Sequence, residues 1–361
     1  MLLTAIIFII VLGILIFVHE LGHFIFAKRA KMRVEEFGFG FPPRLWGKKK
    51  GNTVYSINWI PFGGFVKILG EDGADKDKPD SFASKPLWPR FYVLVSGVLM
   101  NFLLAAFLLI LVNFTGLRIG LDETSAPLAI DKQIQITEIA AGSPAERAGL
   151  KILDEVRGLK LAGKASITLT DIRTLQEIIS QNAGHDIKLL IKRSGQNIEV
   201  SVQPRINPPA GEGALGIGLA LTGIIPHPWY ESLWRGPYDA TIMLMNIVVG
   251  YAYLFKVLFT TGHLLGGISG PIGIASMTGQ AARIGLSFLL QFMAMISINL
   301  AVLNVLPFPA LDGGRILFLF IEKLKGSPIN KKFEGLVNAI GFSLLILLMV
   351  YITIKDVVKL F

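Results

Sequence analysis

The sequence predicts a polytopic α-helical membrane protein with four transmembrane helices, a membrane-associated β-hairpin region near its start and an inserted α+β domain. Three observations carry that prediction. Hydrophobic residues make up 52% of the 361 and charged residues only 17%, against roughly a quarter charged in an ordinary soluble domain. The apolar residues gather in long runs toward the two ends, while the middle alternates like a soluble protein. The charge is partitioned too: residues 118–235 carry 13 basic and 13 acidic side chains, so the net charge of +9 arises wholly outside that block.

Residues 2–27 form the first apolar span. No Lys or Arg precedes it, whereas Lys28, Arg29, Lys31 and Arg33 follow directly. Basic flanks mark the inner side, which places the N-terminus outside and residue 28 onward inside. The uncharged start and the lack of a small-x-small site speak against a cleaved signal peptide. Residues 34–70, with "TVYSINWIPFGGFVKI", alternate apolar and polar residues around turns and read as short strands broken at 61–64. Their aromatic load is high for a free loop, so they are expected to touch the membrane. Residues 71–86 read as a polar surface connection, and 91–114 as a second span leading back outside.

The middle block carries two helix signals. "GSPAERAGL" starts a short helix behind a Ser-Pro turn, and "LTDIRTLQEIISQNAG" is an amphipathic helix capped by Thr or Asp. "DIKLLIKRSG" and "NIEVSVQP" then read as a hairpin. Residues 240–259 are long enough to span. A crossing there would turn the span at 284–306 outward and put the Lys-rich stretch 323–332 outside, against the charge rule. They are therefore expected to lie on the membrane as an amphipathic surface helix. A last span at 336–354 completes four, with both termini outside. The divisions are 1–117 (first transmembrane half), 118–210 (extracytoplasmic domain), 211–280 (linker and surface helix) and 281–361 (second transmembrane half).

Residues 28–90 hold 13 basic against 7 acidic side chains and 315–332 five against one, both at inner flanks. The basic excess thus reports topology, and no nucleic-acid partner is expected. The absence of cysteine excludes disulfides, thiolate metal sites and cysteine nucleophiles, so any transition metal must be held by His, Asp or Glu.

Within the first span stands "FVHELGHFIFAK", residues 17–28, where ionisable groups cost a few kcal/mol each unless something compensates them. His19-Glu20-Leu21-Gly22-His23 is an HExxH pattern. Residues four apart share a helix face, so both imidazoles can meet one zinc ion, with Glu20 placed to take a proton from a water that the ion activates. The competing reading is polar residues snorkelling at a helix end. A catalytic zinc takes three protein ligands, and the third must lie at the same depth. His185 and His227 lie in or next to the outer block and His263 near the outer surface. Glu322 and Glu334, beside the basic inner loop, would serve only in a metalloprotease of a different type.

Asp312 fits best. It ends "NLAVLNVLPFPALDGGR", where Pro307 and Pro309 cannot continue a regular helix and Gly313 and Gly314 permit a tight exit. A turn-forming Asp is the plainer alternative. The charge-derived topology places His23 and Asp312 near the same inner end, an agreement reached from different residues.

HExxH in the first span together with "NVLPFPALDG" in a later one resembles the site-2 protease family of intramembrane zinc metalloproteases, in particular the bacterial regulator-of-sigma-E branch. The likeness extends to "FGFGFPPRLW", "IPFGGFVKI", "SGPIGIA" and "LDGGRILF". It implies one Zn2+ per chain held by His19, His23 and Asp312, with Glu20 as general base. Asn304 and Asn299 match asparagines that hold the substrate's unwound segment, which without the family would read as helix-helix glue. Gly97 and Asn101 match a glycine-asparagine pair of the second span, although Val98 stands where the family has proline. Gly64 and Phe65 fall in the family's re-entrant β-hairpin, whose edge could bind substrate by strand addition.

"GSPAERAGL" and the helix after it resemble a single PDZ domain, a possible site for a peptide C-terminus. Leu153 in "KILDEV" replaces the usual glycine there. The resemblance implies pre-trimmed single-pass membrane proteins as substrates, such as anti-sigma factors or remnant signal peptides, in a bacterial cell membrane, with the active site near the cytoplasmic side. A non-enzymatic PDZ scaffold is the remaining alternative, and it gives the HExxH no use.

Overall fold

The computed structural model describes residues 2–161, 165–169, 171–193, 195–209, 211–261, 270–327 and 329–358; His263 and Ser269 lie outside them. The chain forms two compact units, one built from residues 1–112 and 230–361, the other from 113–229.

The first unit is helical. α1 (Leu2–Arg29) carries the HExxH pattern, α2 (Leu87–Thr115) follows it, and α5 (Trp229–Thr261), α6 (Pro271–Ile284), α7 (Leu286–Val305), α8 (Asp312–Lys325) and α9 (Lys331–Val358) make up the later half. Long helices are the expected response to runs of apolar residues, because a helix satisfies its own backbone where no water can. α1, α2, α5, α7 and α9 are each long and apolar enough to cross a membrane, one more than the four expected. Their outer faces stay greasy: Leu2, Leu3, Ile6, Ile10 and Ile14 of α1 are exposed at helical spacing.

The extra helix is α5. It was expected to lie on the membrane surface. Instead Ala240, Met243, Leu244, Ile247 and Tyr251 join a core with α1, α2 and α7 that includes Leu15, Ala105, Leu109, Ala294 and Ile298. A stripe at i, i+3, i+4, i+7 that meets other apolar helices has no reason to face head groups. Glycines set the closest approaches. A methyl group added at Gly236 would stand 2.4 Å from Ile110, and one at Gly22 the same distance from the Ser96 carbonyl oxygen.

Between α1 and α2 run two long antiparallel strands, β1 (Val34–Lys50) and β2 (Thr53–Ile68). Each doubles back, β1 near Pro42-Pro43 and β2 near 61–64. Residues 34–39 therefore pair with 64–68 on one side (Val34 with Ile68, Phe39 with Gly64) and run in step with 54–57 on the other (Glu36 with Val54, Phe39 with Ile57). The 64–68 segment is left as an edge facing α1. At the far side Phe41, Leu45, Trp46, Trp59 and Ile60 are exposed, an apolar surface fitted to lipid.

The second unit is an α+β domain. Its sheet runs in the order β3 (Leu117–Gly120), β9 (Ile217–Ile225), β4 (Ile130–Ile139), β5 (Glu155–Leu161), β7 (Ile187–Arg193) and β8 (Gln196–Val202), with the short β6 (Ile167–Thr168) beside β5. The two helix signals appear as α3 (Pro144–Arg147) and α4 (Ile172–Gln181). Ser143 Oγ accepts from Glu146 N–H at 3.1 Å and Asp171 accepts from Thr174 N–H at 3.0 Å, so Asp rather than Thr caps α4. Ile136, Leu159, Leu175 and Leu189 fill the core. The unit runs past the expected boundary at 210, because β9 inserts between β3 and β4 and closes the sheet.

Leu153 adopts a left-handed φ of 73° while its side chain stays exposed, and the next residue, Asp154, is buried and held by Arg193 through two nitrogens at 2.7 Å. A leucine in that region is strained by about 1–2 kcal/mol, and a glycine there carries only its backbone entropy. Leu153→Gly is expected to stabilise the unit by roughly 0.5–1 kcal/mol, read as a higher unfolding midpoint of the purified chain in detergent.

Candidate metal centre

One helix face presents both histidines. His19 and His23 are 8% and 7% exposed on α1, and their Nε2 atoms stand 3.1 Å apart. Two features orient the rings. His23 Nδ1 lies 2.7 Å from the Val93 carbonyl oxygen of α2, which also accepts from Ser96 Oγ. An imidazole that donates from Nδ1 keeps its Nε2 lone pair bare. His19 Nδ1 lies 3.3 Å from the Asn101 amide, whose own carboxamide oxygen is buried without a partner. Amide nitrogen and oxygen are assigned rather than seen. With the amide turned over, that oxygen accepts the His19 Nδ1–H, the orphan is satisfied, and the second Nε2 is bared in the same way. Ser297 of α7 fixes Asn101 from behind through its backbone oxygen at 2.8 Å.

The third group arrives from the break between α7 and α8. Pro307 and Pro309 end α7, Ala310 takes a left-handed φ of 73°, and α8 opens on Asp312. The glycines after it allow the close turn: a methyl at Gly313 would meet the Leu306 oxygen at 2.2 Å, and one at Gly314 the Phe308 oxygen at 2.4 Å. Asp312 Oδ2 thereby stands 3.1 Å from His19 Nε2 and 3.3 Å from His23 Nε2.

These residues fit a zinc ion. Bonds of about 2.0–2.1 Å at tetrahedral angles set ligand atoms roughly 3.3 Å apart, and the three observed separations are 3.1, 3.1 and 3.3 Å. Bare lone pairs at such distances repel one another unless a cation lies among them. His19, His23 and Asp312 are the group with metal-binding spacing among the described residues. Space is kept clear beside them by Gly97 of α2, where a methyl would come within 2.5 Å of His23 Nε2 and 2.6 Å of His19 Cε1.

Glu20 lies beside the trio, and its Oε2 accepts the Val66 N–H of the β2 edge at 3.0 Å. Two openings reach the cluster. One, of about 240 Å³, is lined by Glu20, Asn101, Asn304 and Asp312; the other, of about 210 Å³, by Phe65, Val66, Glu71 and Arg315 together with the histidines. Gly64 lies along the same edge, its missing side chain 3.9 Å from Glu20 Cγ. The structure therefore brings together His19, Glu20, His23, Asp312, Asn101, Asn304, Gly64 and Phe65. It does not bring Asn299 in. That side chain accepts from Tyr251 of α5 at 3.2 Å and donates to the Met295 oxygen of its own helix at 3.0 Å, which is helix-helix glue. His185 and His227 belong to the other unit. Sequence reasoning missed the Val93 carbonyl, which carries no side-chain signal, and the pair Glu71 and Arg315, hidden in a polar connection and in a motif read only for its aspartate.

A zinc-fitted site walled by membrane-length helices defines a class, the zinc metalloproteases that work inside the bilayer. This chain belongs to peptidase family M50, whose model matches residues 7–348. A Clostridium perfringens chain provisionally named a zinc metalloprotease is 37% identical over 95% of both chains. The regulator of sigma-W protease RasP of Bacillus subtilis is 30% identical over 99% of each, and the zinc metalloprotease RasP of Geobacillus kaustophilus 31% over 98% of this chain and 97% of its own. The protein is a multi-pass membrane metalloprotease with Zn2+ as its cofactor.

Filling the glycine cleft tests the geometry. Gly97→Ala is expected to weaken zinc retention about 10- to 100-fold, the range seen when groups supporting metal ligands are disturbed, with metal content measured after dialysis against graded chelator.

Proposed function

We propose that His19, His23 and Asp312 hold the zinc ion and that Glu20 is the general base of peptide-bond hydrolysis within the membrane. The convergence of the three ligand atoms beside Glu20 carries this reading. Zinc supplies Lewis acidity, which makes water an available nucleophile near neutral pH. Glu20 takes the proton from that water and passes it to the leaving nitrogen. The Val66 N–H fixes the carboxylate for both transfers.

A helical substrate shields its own carbonyls, so the scissile segment must be drawn out as a strand. The 64–68 edge, with Gly64 and Phe65, faces the site and accepts that strand by β-addition, with the Val66 N–H kept by Glu20. Asn304 holds the opposite side of the unwound segment. Asn101 acts chiefly through His19, and Asn299 reaches substrate only if Tyr251 releases it.

The chain crosses four times, through α1, α2, α7 and α9, with α5 entering the bundle and adding no net crossing. What supports this is that α5 and α6 start at the same end. Gly236 lies against Ile110, far along α2 from Gly97, while Gly270 lies against Ile352 and Asp356 of α9 and Gly279 against Thr4 of α1. The basic flanks put that end outside and the metal site toward the cytoplasm. Unit 113–229 is then an extracytoplasmic PDZ-like domain that screens single-pass membrane proteins for prior trimming of their outer part. Anti-sigma factors and remnant signal peptides fit this description, and the Bacillus subtilis relative is named a regulator of sigma-W protease.

Cleavage of a model transmembrane peptide by the purified protein is expected to fall at least 1,000-fold in Glu20→Gln with zinc retained, on the order of the loss when a general base is removed. Asp312→Ala is expected to lose zinc and activity together. A Glu20→Gln protein that still cleaves, or an Asp312→Ala protein that keeps its metal, refutes the assignment. Because the chain has no cysteine, single substitutions report topology cleanly: Glu212→Cys should react with an impermeant thiol reagent from outside, and Lys325→Cys only after the membrane is opened.

A further inference from the structure

We infer that Arg315 is the anion-holding group of the catalytic cavity, with Glu71 its partner while the site is at rest. The inference rests on the assignment of that cavity as the active site. Among the described residues lining the two openings to the metal trio, Arg315 is the sole lysine or arginine. It follows Asp312 by three positions on α8, and residues three apart lie on one helix face. Its Nη1 contacts Glu71, at the far end of the segment that begins with the β2 edge.

That pair forms a shared wall. Glu71, Phe82, Leu94 and Arg315 line both the opening beside the trio and a second cavity of about 40 Å³ next to it. The neighbouring pair behaves differently. Arg90 meets both oxygens of Glu322 through two nitrogens, at 3.0 and 3.2 Å, a bidentate clamp between α2 and α8. Arg315 engages Glu71 through Nη1 alone, and its side chain is 38% exposed. A guanidinium carries five N–H donors in a fixed fork, so donors remain for a second anion.

The reaction makes one. Water oxygen bonds to the carbonyl carbon, the C–N bond breaks, a water proton leaves on the amine nitrogen, and the new acid ionises to a carboxylate. Negative charge gathers on the two oxygens throughout, and a planar fork matches them. Arg315 exchanges Glu71 for that charge as it forms and holds the carboxylate product until the chain leaves.

The test compares two probes on the zinc-loaded protein in detergent: a hydrophobic decapeptide ending in a carboxylate and the same peptide ending in a carboxamide. Their inhibition constants give a carboxylate preference, to which the metal contributes equally in every variant. Arg315→Gln is expected to lower that preference about tenfold with zinc content unchanged, the loss of one charge-assisted hydrogen bond, and Arg315→Lys to keep part of it. Glu71→Gln, which frees the guanidinium, is expected to match or exceed the wild-type preference. An unchanged ratio in Arg315→Gln overturns the inference, and so does a fall in Glu71→Gln, which decides the matter if Arg315→Gln does not fold. The ratio is read from binding, and zinc content and Glu20→Gln cleavage report separately on the metal assignment.

Discussion

The structure turns on one close contact: two imidazoles and a carboxylate stand 3.1 to 3.3 Å apart inside an apolar bundle. Each group would be costly at that depth alone, and the zinc ion proposed to lie among them would offset all three costs. Much else follows from holding them still. Val93 and Asn101 lie against the Nδ1 atoms of His23 and His19, Ser297 steadies Asn101, and Gly97 and Gly22 let α2 approach α1 closely enough for those contacts. The helix pair is less a container for the site than a part of it.

A second constraint is access. Hydrolysis needs water and an extended peptide, neither of which a lipid-filled interior offers. The β1–β2 sheet brings the 64–68 edge beside Glu20 and leaves Trp46 and Trp59 exposed on its far side, the arrangement on which the proposed strand addition rests. The break at Pro307 and Pro309 is the matching device on the other wall, since it ends one helix and begins the next with the ligand in place.

How much of this was legible depended on where the signal lives. HExxH is local and periodic, so His19, Glu20 and His23 could be read from four residues of spacing, and Asp312 from the prolines before it and the glycines after. Charge bias supports the proposed inner end without any structure. The caps of α3 and α4 were plain for the same local reason. The readings that the packing qualifies are non-local. Residues 240–259 were placed on the surface by a counting argument that treats a long apolar helix as either crossing or lying flat. The packing of Ala240 and Tyr251 among α1, α2 and α7 is a third option that composition does not encode. Asn299 looked equivalent to Asn304 five residues on, but a helix turns about 500° over that distance, which sends one amide to Tyr251 and the other to the cavity. The Val93 carbonyl has no letter of its own in a sequence.

Unit 113–229 begins and ends on neighbouring strands. Leu117 pairs with Ile225, and Asn113 accepts from the His227 N–H at 3.0 Å. A module tethered at adjacent points behaves as a cassette. Lengthening or exchanging such a cassette would leave the sequence of the candidate metal centre untouched, since His19, Glu20, His23 and Asp312 all belong to the other unit.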